Sequence, residues 1–280
     1  KMPNPVSEDL KEQVSDFKAK IPTIQELGNP NMRARHWEKI YSAMGKGFCE
    51  EIQLETLLEW GVMDHAEVIS DQSATSSGEA QLEDSLADIE SNWTDLKFIT
   101  LSYRDSTTVF ILGGLDEIYL ALEDNQVTLQ TMMGSRFIMG VREAVEVWDK
   151  KLGLLSETLD EWIACQRAWM YLETIFSADD IQKQLPVEAQ KFKIVDKTFK
   201  TIMKTTNEDP LVIKCLDIEP SLLPTFQACN ESLDQIQKSL EAFLETKRLA
   251  FPRFFFLSND ELLMILSQTK DPTAVQPHMG

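Results

Sequence analysis

The stretch Trp148-Asp149-Lys150-Lys151-Leu152-Gly153-Leu154-Leu155-Ser156-Glu157-Thr158-Leu159-Asp160-Glu161-Trp162 decides how this chain folds. Its apolar residues Trp148, Leu152, Leu155, Leu159 and Trp162 alternate steps of four and three, and Trp169 and Phe176 continue the line at seven-residue steps. That spacing places one apolar stripe along an α-helix. No proline interrupts the chain between Ser135 and Phe176. A continuous helix there would be roughly 60 Å long at 1.5 Å per residue. Gly153 is the weak point in it, since a mid-helix glycine costs about 1 kcal/mol relative to alanine, and it is the candidate hinge.

Downstream, Ser177-Ala178-Asp179-Asp180 reads as a fresh helix cap and Pro186 as the first turn of a helix carrying Phe192, Val195, Phe199 and Ile202. Asp209-Pro210 interrupts it. After Pro220 and Pro224 a further stripe runs through Phe226, Cys229, Leu233, Ile236, Leu240 and Phe243 until Pro252. Ser258-Asn259-Asp260-Glu261 is a capping box opening a last helix, which Asp271-Pro272 ends.

Upstream, Asn29-Pro30 predicts the start of a helix to Met44, stopped by Gly45-Lys46-Gly47, and Ile52, Leu54, Leu57 and Leu58 predict a second, ending at Gly61. Ser70 to Gly78 has the composition of a mobile loop. Leu82, Leu86, Ile89 and Trp93 return to helical period. The period then changes to two over Phe98–Tyr103 and Thr107–Leu112, which predicts a β-hairpin closed near Asp105 and Ser106 and stopped by Gly113-Gly114. Short helices are expected over Asp116–Leu122 and Val127–Met133. The fold class is therefore mainly α, an elongated curved rod of consecutive helical bundles with one small β-hairpin. Its segments are 1–94, a helical portion with the loop near 70–79; 95–134, the hairpin and short helices; and 135–280, the long-helix bundles.

A chain of 280 residues with 43% hydrophobic content can build such bundles. Its 27 Lys+Arg against 46 Asp+Glu give a charge of −19, which repels nucleic acid and anionic membranes. No apolar run exceeds the five residues Leu262–Leu266, far short of the roughly 20 that span a bilayer. Lys1-Met2-Pro3-Asn4 leads into polar sequence without a secretory pattern. Cys49, Cys165, Cys215 and Cys229 lack paired spacing and fit buried thiols of the cytoplasm or cytoskeleton.

Catalytic chemistry finds little support. Gly45-Lys46 fails as a phosphate loop, because Ile40 stands at the first glycine position and Gly47 at the hydroxyl position. His36, His65 and His278 are too scattered for a metal site, and His36 beside Trp37 reads as a cap or packing residue. The pairs Glu50-Glu51, Glu123-Asp124 and Asp179-Asp180 read as solvated helix ends. No G-x-S-x-G occurs. Trp148, Trp162 and Trp169 share a stripe that is expected to be core, with any exposed part marking a docking face.

Several stretches stand out in order along the chain. They are Leu27-Gly28-Asn29-Pro30 with Arg35-His36-Trp37, Ile111-Leu112-Gly113-Gly114-Leu115-Asp116, and Gly134-Ser135-Arg136-Phe137. Then come Leu159-Asp160-Glu161-Trp162 with Gln166-Arg167-Ala168-Trp169, Phe176 to Ile181, and Phe251-Pro252-Arg253-Phe254-Phe255-Phe256-Leu257-Ser258-Asn259-Asp260-Glu261-Leu262-Leu263. In this order the stretches resemble the linker of dynein heavy chains, and the signature positions taken from this likeness are Arg35, His36, Trp37, Gly113, Trp162, Trp169, Phe255, Ser258, Asp260 and Glu261. The last stretch is similar to axonemal rather than cytoplasmic members. Ser70 to Gly78 departs from a charged helix in the family.

The resemblance implies a non-catalytic lever that bends and straightens across the AAA+ ring of its own heavy chain, driving movement along microtubules. ATP and Mg would bind in the ring, with no catalytic, cofactor or metal residue in this segment. It further implies a ciliary or flagellar axoneme, a parent complex with intermediate and light chains, a monomeric fragment, and further linker helices beyond it. A spectrin-like helical scaffold or adaptor binding partner proteins, and an unrecognised enzyme with a deep polar pocket, are the competing readings.

Overall fold

The structure is a computed structural model that describes residues 5–49, 52–104 and 106–267. The expectations placed on Lys1-Met2-Pro3-Asn4, Glu50-Glu51, Asp105, Asp271-Pro272 and His278 lie outside the described residues. Among the described residues there are ten α-helices and one two-stranded antiparallel sheet, so the mainly α class with one hairpin holds. No described helix is long and apolar enough to cross a membrane. The chain forms two compact units, Lys1–Glu90 with Leu129–Glu146 and Ser91–Thr128 with Val147–Gly280. The stretch 129–146 groups with the first 90 residues.

The first unit contains α1 (Pro5–Leu27), α2 (Ala34–Ala43), α3 (Leu54–Glu59) and most of α4 (Ala66–Asp95). α2 begins after Arg33, not at Asn29-Pro30, because the side chain of Asn29 is committed elsewhere and the His36 ring caps the Arg33 N–H at 3.1 Å. It ends as expected at Gly45, whose φ of +68° suits glycine. Lys46 N–H donates to Tyr41 O at 2.9 Å and Gly45 N–H to Ser42 O at 3.0 Å, a Schellman close. Leu27, Ile40, Tyr41, Leu57, Val62 and Ile69 form the core, with Trp37 and Trp60 packed at its edge.

The loop expected over 70–79 is instead continuous helix within α4. Its buried positions Ile69, Ser73, Ser76, Glu79, Leu86, Ile89 and Trp93 keep a three-to-four spacing once serine and glutamate are counted as face residues. Ser76 Oγ donates to Ser73 O at 2.9 Å, so the hydroxyl is satisfied inside the helix. The two short helices expected over Asp116–Leu122 and Val127–Met133 are one helix, α5 (Asp116–Met133). Asn125 Nδ2 donates to Ala121 O at 2.6 Å and Thr128 Oγ1 to Asp124 O at 2.9 Å, so these polar residues bond back instead of breaking the helix. The long helix, α6, spans Arg142–Phe176, about 53 Å. It starts later than Ser135 because a 3-10 turn, Ile138–Gly140, intervenes.

In the second unit β1 (Thr100–Ser102) pairs with β2 (Phe110–Leu112) in the register Thr100↔Leu112 and Ser102↔Phe110. Three helices follow α6: α7 (Asp179–Gln184), α8 (Pro186–Glu208, with proline in its first turn) and α9 (Leu222–Ala250); α10 (Asn259–Ser267) comes last. The cap read at Ser177–Asp180 is weaker than expected, since Ala178 occupies the N-cap without a side-chain bond. The Asp209-Pro210 break is put to use: Phe98 N–H donates to Pro210 O at 2.8 Å and Val212 N–H to Leu96 O at 2.9 Å.

Candidate functional site

Residues from three of the quoted stretches, Asn29, Arg35 with His36, and Phe137, converge on α4 within the first unit. Asn29 Nδ2 donates to Ser73 O and Ser73 Oγ at 3.0 Å and to Ser77 Oγ at 2.8 Å. One turn further along, Phe137 lies against Gly78 so closely that a Cβ there would sit 2.5 Å from the ring Cγ and 2.6 Å from Cε2. Next comes Glu79, a buried carboxylate that pairs with the Arg35 guanidinium and receives the His36 ring at 3.1 Å. Arg33 pairs with Glu83 beyond it. The carboxylate spacing at 79 and 83 therefore matches successive turns of one helix face.

His36 is itself almost wholly buried, at 1% exposure. Its Nδ1 accepts the Arg33 N–H, so Nε2 carries the proton and donates to Glu79. Burial lowers its pKa from the usual 6.5; the Glu79 charge opposes this, and Arg35 and Lys39 add to it. The ring is a neutral structural connector between α2 and α4. Trp37 contributes differently, lying at the core edge with Tyr41, ring centroids 6.1 Å apart. Gly140 admits the same clamp, since a Cβ there would lie 2.7 Å from Arg35 Nη2 and 3.2 Å from the Glu79 carboxyl carbon.

The second unit holds an aromatic ladder. Trp162 of α6 stacks on Phe226 of α9 at 4.9 Å, Trp169 on Phe199 of α8 at 4.6 Å, and Phe176 on Phe192 at 5.3 Å. Trp162 and Trp169 are fully buried, as expected of core, whereas Trp148 is partly exposed. Trp169 Nε1 donates to Asp196 Oδ1 at 3.0 Å, while Trp162 Nε1 is buried without a hydrogen-bond partner among the described residues. Next to the Trp162 contact, the Cys165 thiol meets that of Cys229, and that hydrogen bond together with burial pushes Cys165 upward.

The hairpin is fastened to the ladder from one side. Gln166 of α6 grips Leu112, accepting its N–H at 2.8 Å and donating to its C=O at 2.9 Å. Gly113 approaches the opposite strand, donating to Ile99 O at 2.7 Å, where a Cβ would meet Ile99 Cγ2 at 2.9 Å. Tyr103 rests on Trp169 at 5.0 Å and donates to Glu173 at 3.1 Å, with Arg104 completing the ion pair at 2.9 Å.

The signature at the end of the described chain is built on caps. Ser258 N–H donates to Glu261 Oε2 at 2.8 Å and Glu261 N–H to Ser258 Oγ at 3.2 Å, the reciprocal box read from the sequence. Asp260 accepts from Tyr171 of α6 at 3.4 Å, and Arg248 of α9 donates to Leu257 O at 2.8 Å. Phe255 and Phe256 are 57% and 89% exposed. Gly153 stands apart from these contacts, and a Cβ on it would meet nothing within 4 Å.

These side chains clamp helices together. The acid and imidazole groups at the convergence on α4 are engaged with one another and with backbone, and no three His, Cys, Asp or Glu among the described residues are placed to hold a metal ion. The sequence reading missed Ser73, Gly78 and Glu79, the receiving half of the clamp. The available signal was the three-residue steps Ser73, Ser76 and Glu79, which continue the buried face of α4 from Ile69.

The chain matches the family model described as dynein heavy chain, N-terminal region 2, over residues 1–280. It is 47% identical over 280 residues to human dynein axonemal heavy chain 6, covering 99% of this chain and 7% of that protein. It is 43% identical over 277 residues to mouse dynein axonemal heavy chain 1, covering 98% and 6%, and 40% identical over 279 residues to human dynein axonemal heavy chain 3, covering 99% and 7%. The chain thus spans about 7% of the length of such relatives. By the whole-chain match and these identities, it belongs to the dynein heavy chain family, as an N-terminal region of the heavy chain.

Proposed function

We propose that this region is the mechanical linker of an axonemal dynein heavy chain, a lever that bends and straightens across the AAA+ ring and converts ATP hydrolysis into a stroke along microtubules. The observation that carries the reading is the convergence of Asn29, Arg35, His36 and Phe137 on α4, since residues of the stretches that resemble the family serve here to fasten helices. A lever transmits force only where its parts resist shear, and buried polar clamps with stacked aromatics provide that resistance. The region itself performs no catalysis on this reading; ATP and Mg act in the ring. Its partners are then the ring of the same heavy chain and, through the parent complex, intermediate and light chains and microtubules in a cilium or flagellum. Gly153 is the candidate yielding point, because α6 carries no side chain there and a Cβ at the position would meet nothing within 4 Å among the described residues.

The test is binding of this chain to a dynein ring lacking its linker, without nucleotide and with a trapped hydrolysis state. Saturable binding that differs between the two states supports the lever. Equal binding in both states contradicts it and favours a scaffold.

A further inference from the structure

We propose that the groove between α8 and the start of α9, in the second unit, is a docking site for an acidic amphipathic helix of a partner protein. The groove encloses about 630 Å³ and has apolar walls from Ile218, Pro220 and Leu222. Its floor includes Ile194, which is 62% exposed although it sits mid-helix beside the bundle core. Thr198, Thr201 and Thr205 also line it, and each hydroxyl donates to the carbonyl four residues earlier at 3.0, 2.8 and 3.2 Å. Their protons are thereby satisfied within α8, which lowers the cost of covering them with apolar surface.

Charge identifies the occupant. Lys193 and Lys197 both line the groove and make no ion pair among the described residues, whereas Lys200 and Lys204 on the same helix pair with Asp196 and Glu208. The one carboxylate in the lining is Glu219. Two uncompensated ammonium groups flanking an exposed isoleucine are unusual on a chain whose net charge is −19. They repel basic segments and attract carboxylates. The lining along α8 runs from Gln190 to Thr205, about 22 Å, which accommodates roughly four turns of a docked helix. The partner helix would lay its apolar residues on Ile194 and the far wall and its carboxylates beside Lys193 and Lys197, the helix-in-groove mode.

The probe is a fluorescein-labelled 18-residue peptide with leucines at helical three-to-four spacing and glutamates on the flanks, titrated with this chain and followed by anisotropy. Controls are a peptide of the same composition with scattered leucines and one with lysines replacing the glutamates. The expected result is saturable binding of the first peptide only, weakened about tenfold by the double change Lys193→Glu and Lys197→Glu and at least as much by Ile194→Asp. It should also weaken with salt, because the charges lie at a solvent-exposed rim. Circular dichroism checks that the variants keep their helix content, which these exposed positions do not control. Equal affinity for the scattered peptide, indifference to the three substitutions, or no binding at millimolar concentration would overturn the proposal. So would a concentration-dependent dimer of this chain abolished by the lysine reversals, which would make the occupant a second copy.

Discussion

Replacing Gly78 with alanine puts a methyl group where the Phe137 ring now lies. The built Cβ would sit 2.5 Å from Cγ and 2.6 Å from Cε2, against the roughly 3.5–4.0 Å of carbon atoms in favourable contact. The ring must retreat by about 1 Å. Because Cγ is among the blocked atoms, a turn of the ring about its own axis does not relieve the clash, and the whole side chain has to leave its rotamer. Arg136 lies over the same ring at 4.5 Å and moves with it. Overpacking of this kind costs about 1–3 kcal/mol, and alanine returns about 1 kcal/mol of helix propensity. The net expectation is a destabilisation of about 0–2 kcal/mol. In a Phe137→Ala background the clash is gone and the same Gly78→Ala change should stabilise by up to about 1 kcal/mol, so the two positions couple by roughly 2 kcal/mol. Urea unfolding followed by far-ultraviolet circular dichroism, with hydrogen exchange of the α4 amides, measures all four corners of this cycle. If Gly78→Ala proves neutral or stabilising in the unaltered chain, with coupling under about 0.5 kcal/mol, the close packing of Phe137 on α4 is wrong.

The other expectations are briefer. Burial holds the folded His36 pKa below 6.5, so the unfolded chain binds more protons at mildly acid pH; the His36 contribution is fully present above pH 6.5 and is lost as pH falls through the folded value. Unfolding free energy should therefore drop from neutral to mildly acid pH with a slope that His36→Gln reduces, and an unchanged slope in the variant counts against it. Gly153→Ala should raise stability by about 1 kcal/mol by thermal melting, since its Cβ meets open space; if Gly153 is the hinge it should also reduce linker swing in an intact motor, and unchanged swing removes the candidate. Trp169→Ala should cost about 3–5 kcal/mol, because it removes the contacts with Phe199, Tyr103 and Asp196 together; a loss under about 1 kcal/mol would contradict the ladder. In the native chain maleimide should label exposed Cys49 first. Cys215, whose thiol burial pushes up to about 12, and the buried pair Cys165 and Cys229 should react only on unfolding; equal rates would contradict their burial.

The apolar stripes were legible because period alone places Phe192, Val195 and Phe199 on one face of α8, and Leu233, Ile236 and Leu240 on one face of α9. The Ser258 box was legible because both partners lie within four residues. α4 was not, since serine, threonine and glycine signal loops in isolation while here they are the small side chains that admit Asn29 and Phe137. The gap expected between Leu122 and Val127 similarly closes into α5, where Asn125 bonds back to Ala121. Of the site, Arg35 and His36 were singled out only through the likeness to dynein heavy chains, and their partner Glu79 lies more than 40 residues away and becomes visible only through the fold. Gly78 was read as freedom and is instead a point of close approach.

The lever account is tested most directly in an intact axonemal motor carrying one dye at position 120, where Leu120 is 62% exposed, and a second on the first ATPase module. Energy transfer is then compared without nucleotide and in a trapped hydrolysis state. The account predicts two distinct efficiencies that interconvert as ATP is turned over. A single efficiency in both states, with the ring still hydrolysing ATP, would contradict it.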